Sequence, residues 1–124
     1  MALMNNMKTE DYKKIAELDE LIKKDPYNAE LLVQKGRIFY SKMADDYAVE
    51  AFRKAIKVNP QYVDAYFDLA ECLKFHLGED EEAESLALQG LQIDPQRKDL
   101  LDLLVAIRED MAWWKAEMQK LQKK

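Results

Sequence analysis

The amino-acid sequence predicts an all-α fold, a short solenoid of antiparallel helix pairs with capping helices at its N- and C-terminal ends. Apolar residues recur at three- and four-residue spacing along six segments, as in amphipathic helices. Prolines at positions 26, 60 and 95 divide these segments at intervals of 34 and 35 residues. With only 3 Gly and 3 Pro, the chain has too few turn residues for an all-β domain.

Length and composition exclude several classes of function. The 124 residues suffice for one domain, 1–124, with a modest core. A net charge of −5 argues against nucleic-acid binding, which depends on Lys and Arg neutralising phosphates. One Cys and one His allow no internal disulfide and indicate no zinc site within the chain. We therefore expect no metal and no cofactor.

The N-terminal segment and the apolar runs bear on location. The first residues lack the basic segment and apolar run of a signal peptide. No run approaches the roughly 20 apolar residues that span a bilayer. The expected setting is the cytoplasm, without a membrane partner.

The N-terminal helix is predicted over 9–26, from about Thr9 to Lys24. Its apolar stripe includes Ile15 and Ile22, and Thr9 is the predicted N-cap. Pro26 ends this helix because the residue before a proline is pushed out of helical geometry.

Residues 29–60 form the first predicted repeat, with helices at about 29–42 and 46–58. Asn28 is expected to cap the first of these helices, and Asp45 or Asp46 the second. Residues 63–95 form the second repeat, with helices at about 63–76 and 80–92 around a turn at Gly78. The C-terminal capping segment, 97–122, is either one long helix or two helices with a bend near Asp110.

These two units resemble the tetratricopeptide repeat family, whose pattern places small and large apolar residues at fixed positions of a helix pair before a closing proline. The matching residues of the first unit are Leu32, Gly36, Phe39, Ala48, Phe52, Ala55 and Pro60. Those of the second are Tyr66, Leu69, Ala70, Leu73, Ala83, Ala87, Gly90 and Pro95. Lys35 departs from the pattern, which has Leu at that position. Small residues such as Gly36 and Gly90 are expected where a large neighbour seats against the backbone.

The resemblance implies a protein–protein interaction scaffold whose first helices line a concave groove that holds a peptide or partner segment. The groove residues that it implies are Val33, Arg37, Tyr40, Asp64, Phe67, Asp68, Glu71 and Phe75. Apolar residues surrounded by charge on such a face often form a peptide site. The alternative is that the terminal helices partly fill the groove, which would place those residues in the core.

Charge bears on the kind of peptide. One branch of the family binds acidic chaperone tails with a clamp of Lys, Arg and Asn, and the matching positions here are Val33, Arg37, Asp68, Asp99 and Leu103. Because only Arg37 is basic, the clamp is absent. Acidic residues on the first helices instead favour a basic or amine-bearing peptide that also has apolar groups. The alternative is a solvated acidic face.

The pair Trp113-Trp114, with Met118 and Leu121, forms a second unusual apolar stripe. It covers the end of the solenoid, or it leaves one Trp exposed for self-association as a homodimer. A membrane-surface helix is a third alternative, against which the shortness of the stripe argues. Catalysis has no support, because no nucleophile–base spacing is recognisable around His76 or Cys72. We therefore expect a binding protein and not an enzyme.

Overall fold

The computed structural model describes residues 6–123, and these residues form six α-helices without a β-strand. The helices are α1 (Thr9–Lys24), α2 (Ala29–Ser41), α3 (Asp45–Val58), α4 (Val63–Phe75), α5 (Asp80–Ile93) and α6 (Lys98–Gln122). The predicted all-α class is confirmed, and each predicted helix lies within about two residues of its observed bounds. The C-terminal segment is one continuous helix of 25 residues, without a break near Asp110.

Helix starts follow the predicted capping chemistry in one case and not in two others. The Asn28 side chain accepts hydrogen bonds from the backbone N–H groups of Glu30 and Leu31, which confirms it as the cap of α2. Thr9 is already helical. The residue before it, Lys8, occupies the cap position, and its N–H donates to the Asp11 carboxylate at 2.9 Å. Asp45 is likewise helical, which leaves Ala44 as the cap of α3.

The helices pack in the order in which they occur along the chain. Each helix contacts the next one, and in addition α2 packs on α4 and α4 packs on α6. This nearest-neighbour arrangement is that of a solenoid. It brings the first helices α2, α4 and α6 side by side, and we call the face that they share the groove.

Small residues let large side chains reach the backbone, as the sequence predicted. A Cβ added to Gly36 would lie 2.7 Å from Cδ1 of Phe52, which is fully buried. A Cβ on Gly90 would lie 2.8 Å from Leu100 Cδ1 and 3.2 Å from Tyr66 Cβ. Gly36 therefore seats α3 on α2, and Gly90 seats α5 against both α4 and α6.

The first half of α6 belongs to the body of the protein, and the second half does not. Leu100 and Ile107 are fully buried, and Met111 still packs on the core. From Trp113 onward no residue of α6 is buried within the described part of the chain. We call residues 112–122 the overhang. None of the six described helices has the length and apolar composition needed to cross a bilayer.

Candidate partner-binding groove

The groove carries most of the residues that the sequence placed there. Arg37 and Phe75 are exposed, and four others are partly exposed: Tyr40, Asp64, Phe67 and Glu71. In the described part of the chain α1 packs on α2 alone, with its side chains beside Arg37, and α6 packs on α4 and α5. The groove is thus a face shared by α2, α4 and the first half of α6.

Val33 does not face the groove. Only 1% of it is exposed, and it belongs to the core cluster that also contains Ala65 and Leu69 of α4. The prediction that Val33 is an accessible groove residue is wrong, because α4 packs on α2 and covers this position. A partner cannot contact Val33 without separating these two helices.

Asp68 lies at the floor of the groove and is already bound to Arg37. It is 8% exposed, and its Oδ2 accepts a hydrogen bond of 2.7 Å from Nε of Arg37. Burial raises the pKa of Asp68, and the guanidinium of Arg37 opposes that rise. The pair ties α2 to α4, so Asp68 serves first as a structural partner of Arg37.

A second guanidinium continues this network toward α6. Nη1 of Arg97, the residue before α6, lies 2.8 Å from Asp64 Oδ1, and its Nη2 lies 2.9 Å from Asp99 Oδ2. Asp64 is also 3.9 Å from Nη2 of Arg37. Two cations therefore bridge three carboxylates of α4 and α6 across the N-terminal part of the groove.

The part of the groove nearer the C-terminus of α4 keeps uncompensated acid and exposed apolar surface. Glu71 makes no ion pair among the described residues, and burial, followed by the charge of Asp68, raises its pKa. Phe75, one turn further along α4, is 59% exposed. Phe67 packs partly against the core, so only part of its surface is accessible. This end offers a carboxylate and an aromatic ring to a ligand.

His76, the C-cap residue of α4, is a largely buried side chain with two side-chain partners. Its Nδ1 lies 2.6 Å from Oδ1 of Asp45, and its ring stacks on that of Tyr40 at 4.1 Å between centroids. Cys72, one helical turn earlier on α4, is fully buried beside them. Ligand atoms of Asp45, Cys72 and His76 all lie within 4.8 Å of one another. The four-residue spacing of Cys72 and His76 was the signal available in the sequence.

These three residue types also occur in cysteine nucleophile–histidine–acid sites. Here burial, followed by the nearby carboxylates of Asp45 and Glu71, raises the pKa of the Cys72 thiol to about 12. A thiol that stays protonated and fully buried is a poor nucleophile. The cluster therefore does not indicate catalysis.

Lys74 precedes Phe75 at the C-terminal end of α4. Its side chain is only 8% exposed and lies 3.1 Å from Asp80 and 2.7 Å from Asp110. Burial alone would lower the pKa of Lys74, and the two carboxylates together raise it above its ordinary value. Lys74 therefore joins α4 to α5 and α6 and does not add positive charge to the groove.

The carboxylate clamp of the chaperone-binding branch is absent in three dimensions as well. Val33 and Leu103 are buried at 1% and 6% exposure, and Arg37 is held by Asp68. The groove instead contains four carboxylates and two guanidinium groups: Asp64, Asp68, Glu71, Asp99, Arg37 and Arg97. These groups leave the face with a net negative charge.

Two other surfaces lie outside the groove. Trp113 and Trp114 are each 57% exposed and contact each other edge to face at 5.1 Å.

A cleft of about 680 Å³ lies behind the groove between α1, α2 and α3. An ion pair of 2.7 Å between Lys35 and Asp19, both of which line this cleft, joins α1 to α2. Lys35, the departure from the repeat pattern, therefore has a structural role.

The model of the tetratricopeptide repeat family matches residues 46–107, which is half of the chain. The chain belongs to the tetratricopeptide repeat family. An uncharacterised protein of Methanocaldococcus jannaschii is 40% identical over 77 residues, which cover 62% of this chain and 84% of that protein.

Three solved structures are similar in fold. The first tetratricopeptide repeat domain of Spaghetti, bound to an HSP90 peptide, matches with a TM-score of 0.76 and 21% identity over 83% of this chain and 81% of that one. A MamA structure matches with a TM-score of 0.67 and 21% identity over 84% and 59%. An HSP90 co-chaperone from Saccharomyces cerevisiae matches with a TM-score of 0.60 and 23% identity over 94% and 45%. At these identities the likeness concerns the fold alone.

Proposed function

We propose that this protein is an interaction module whose groove binds a peptide segment of a partner protein, and that the segment combines basic and apolar side chains. The observation that carries the proposal is the pairing of uncompensated acid with exposed aromatic surface at the C-terminal end of α4. Glu71 and Phe75 lie one turn apart on that helix. A ligand that supplies a cation and an apolar group can pair with the Glu71 carboxylate and pack on the Phe75 ring.

The electrostatics of the groove support a basic partner. Four carboxylates face two guanidinium groups, so the face stays negative after its internal ion pairs are counted. A Lys or Arg of the partner would pair with Glu71 and favour its ionised form, because an opposite charge nearby lowers a carboxyl pKa. Complementary charge also increases the rate of association and discriminates against acidic peptides.

The comparisons support peptide binding in general and not a particular partner. The Spaghetti domain holds an HSP90 peptide on the same fold. The positions of the acidic-tail clamp are occupied here by buried residues, by acidic residues and by Arg37, which already pairs with Asp68. We therefore propose the same mode of binding with the opposite charge preference.

The test is a peptide array followed by fluorescence polarisation with the purified chain. Basic peptides that contain aromatic or aliphatic residues should bind, and their acidic counterparts should not. Glu71→Lys and Phe75→Ala should each weaken binding about tenfold or more, as residues at the centre of an interface do. These two positions are better probes than Asp68, whose replacement would also release Arg37.

Glu50→Lys is the matched control, because Glu50 is exposed on α3 outside the groove. This control should bind like the unmodified chain. If Glu71→Lys and Phe75→Ala both bind as tightly as Glu50→Lys, the proposed site is wrong.

A second candidate function is self-association through the overhang. The apolar stripe of the overhang is between 49% and 62% exposed; it consists of Trp113, Trp114, Met118 and Leu121. Trp is among the residues enriched at the energetically dominant centres of protein interfaces. A second copy whose overhang packs against this stripe would cover it in a two-fold dimer.

Sedimentation over a range of protein concentrations separates the two candidates. A dimer that Trp114→Ala converts to a monomer, in a chain whose groove binds no peptide, would favour self-association. A chain that stays monomeric at every concentration and binds basic peptides would favour the groove.

A further inference from the structure

We infer that Asp45, Cys72 and His76 form a binding site for one borderline-soft divalent cation, Zn²⁺ foremost. The three side chains come from the start of α3 and the end of α4, where the first repeat meets the second. Their ligand atoms are already within 4.8 Å of one another. This inference does not depend on peptide binding in the groove.

The donor set is the first argument. Zinc takes thiolate sulfur, imidazole nitrogen and carboxylate oxygen, at about 2.3 Å from sulfur and about 2.0–2.2 Å from nitrogen and oxygen. Tetrahedral geometry with those bond lengths separates neighbouring ligand atoms by about 3.3–3.7 Å. The widest separation in the cluster, at most 4.8 Å, would shorten by no more than about 1.5 Å to reach these values. The 2.6 Å contact between His76 and Asp45 would lengthen by about 0.7 Å as the ion enters between them. Three protein ligands leave a fourth position for water.

Preorganisation is the second argument. Cys72 lies in the last turn of α4, and His76, four residues later, is its C-cap with an αR backbone, so both side chains point to one side of the helix end. The ring of Tyr40 stacks on the His76 imidazole with an interplanar angle of 10°, and this contact fixes the plane of the ring. Asp45 is held against Nδ1 of His76 at 2.6 Å. An ion would take the place of the proton that these two residues share.

Charge is the third argument. The cluster contains the Asp45 carboxylate, and Glu71, the residue before Cys72, makes no ion pair among the described residues. Neighbouring carboxylates favour a cation between them. Cys72 would bind the ion as a thiolate, because a coordinating thiol is deprotonated.

Access and proton balance agree with this assignment. The His76 and Asp45 side chains are 15% and 18% exposed, whereas Cys72 is fully buried, so the ion would enter past the imidazole and the carboxylate. On binding, the Cys72 thiol loses its proton to solvent and its sulfur bonds to the metal. The proton between Nδ1 of His76 and Asp45 moves to Nε2 of the same ring. The Cys72 proton is therefore the one proton released for each ion.

The experiment is a titration of the chain with Co²⁺, a spectroscopic substitute for Zn²⁺, followed by displacement with Zn²⁺. We expect a thiolate-to-cobalt charge-transfer band that saturates at one ion per chain and disappears when Zn²⁺ is added. Thermal unfolding without peptide should shift to higher temperature with either metal, because the ion binds the folded state.

Variants identify the ligands. Cys72→Ser should remove the charge-transfer band, and His76→Ala and Asp45→Asn should each weaken binding at least about tenfold. Asp46→Asn is the matched control, because Asp46 is an exposed neighbour of Asp45, and it should bind like the unmodified chain. Circular dichroism of the apo variants shows whether each one is folded.

Three results would overturn the inference. One is the absence of both the band and the thermal shift at saturating metal. Another is binding of several ions per chain that Cys72→Ser leaves unchanged, which would indicate adventitious surface binding. A third is binding that is equally tight in folded His76→Ala, Asp45→Asn and Asp46→Asn.

Discussion

Nε of Arg37 on α2 lies 2.7 Å from Oδ2 of Asp68 on α4, so a half-exposed cation covers a carboxylate that is only 8% exposed. The pair stabilises the junction of the two repeats, because a buried carboxylate without its cation would raise the free energy of the folded state. Removing one partner of a buried, charged hydrogen bond costs more than the bond itself contributes.

Arg37→Met should therefore lower the free energy of unfolding by about 1–3 kcal/mol, since it leaves Asp68 buried without its cation. Arg53→Met is the control, because Arg53 pairs with Glu82 at a site where both side chains are at least 40% exposed. This control should cost at most about 1 kcal/mol. Urea unfolding of both variants at neutral pH measures the difference, and equal losses would contradict the structural role of Asp68.

Glu71→Gln should stabilise the protein at neutral pH. Burial, and then the charge of Asp68, raises the folded-state pKa of Glu71 above the ordinary value of 4.5. The folded chain then holds this proton more tightly than the unfolded chain, so stability falls as the pH rises from about 4.5 through the raised pKa. Glutamine cannot ionise and avoids this loss.

Urea unfolding at about pH 7 and about pH 4 tests the sign for Glu71. The gain from Glu71→Gln should be present at the higher pH and shrink toward zero at the lower one. Glu109→Gln, at an exposed position of α6, is the control for removing a carboxylate. A Glu71→Gln variant less stable than the unmodified chain at neutral pH would show that Glu71 has a stabilising partner.

Gly36→Ala should lower the free energy of unfolding by about 1–3 kcal/mol through overpacking. The added methyl group would overlap the Phe52 ring, whose Cδ1 lies 2.7 Å from the new atom. Phe52→Leu in the same chain should recover part of the loss relative to the sum of the two single changes. Strict additivity in a thermal or urea melt would contradict the steric explanation.

Asn28→Ala should lower the free energy of unfolding by about 1 kcal/mol, because it removes the side-chain cap of α2. The Asn28 Oδ1 accepts from Glu30 N at 3.1 Å and from Leu31 N at 3.4 Å. Asn28→Asp keeps an acceptor at this position and should retain most of the stability. If Asp proves as costly as Ala in denaturant unfolding, the side-chain cap is not what stabilises this helix start.

Helix positions were predictable because amphipathic periodicity and proline spacing are local properties of the chain. The starts of α1 and α3 were harder, since Thr9 and Asp45 were plausible caps on residue type alone. Whether each is the cap or the first helical residue depends on a single backbone angle. Asp45 is instead used by His76, 31 residues away, and no local pattern reports that contact.

The groove was predictable as a face and not residue by residue. The resemblance to the family implied that Val33 was an accessible groove residue. Its accessibility depends on how closely α4 approaches α2, and this distance is a tertiary property. Likewise, the sequence does not show that Lys74 is buried, because its carboxylate partners lie on α5 and α6. The sequence shows which residues share a helix face, whereas packing decides which of them a ligand can reach.

The arrangement of α1 has a consequence for how the protein opens. No side chain of α1 is fully buried, and the helix packs on α2 alone within the described residues. Solenoid stability is a sum of terms between neighbours, so a terminal element held by one neighbour can detach while the rest stays intact. Amide hydrogens of α1 should therefore exchange with solvent faster than those of α3 to α5, and loss of the native state should begin at this end.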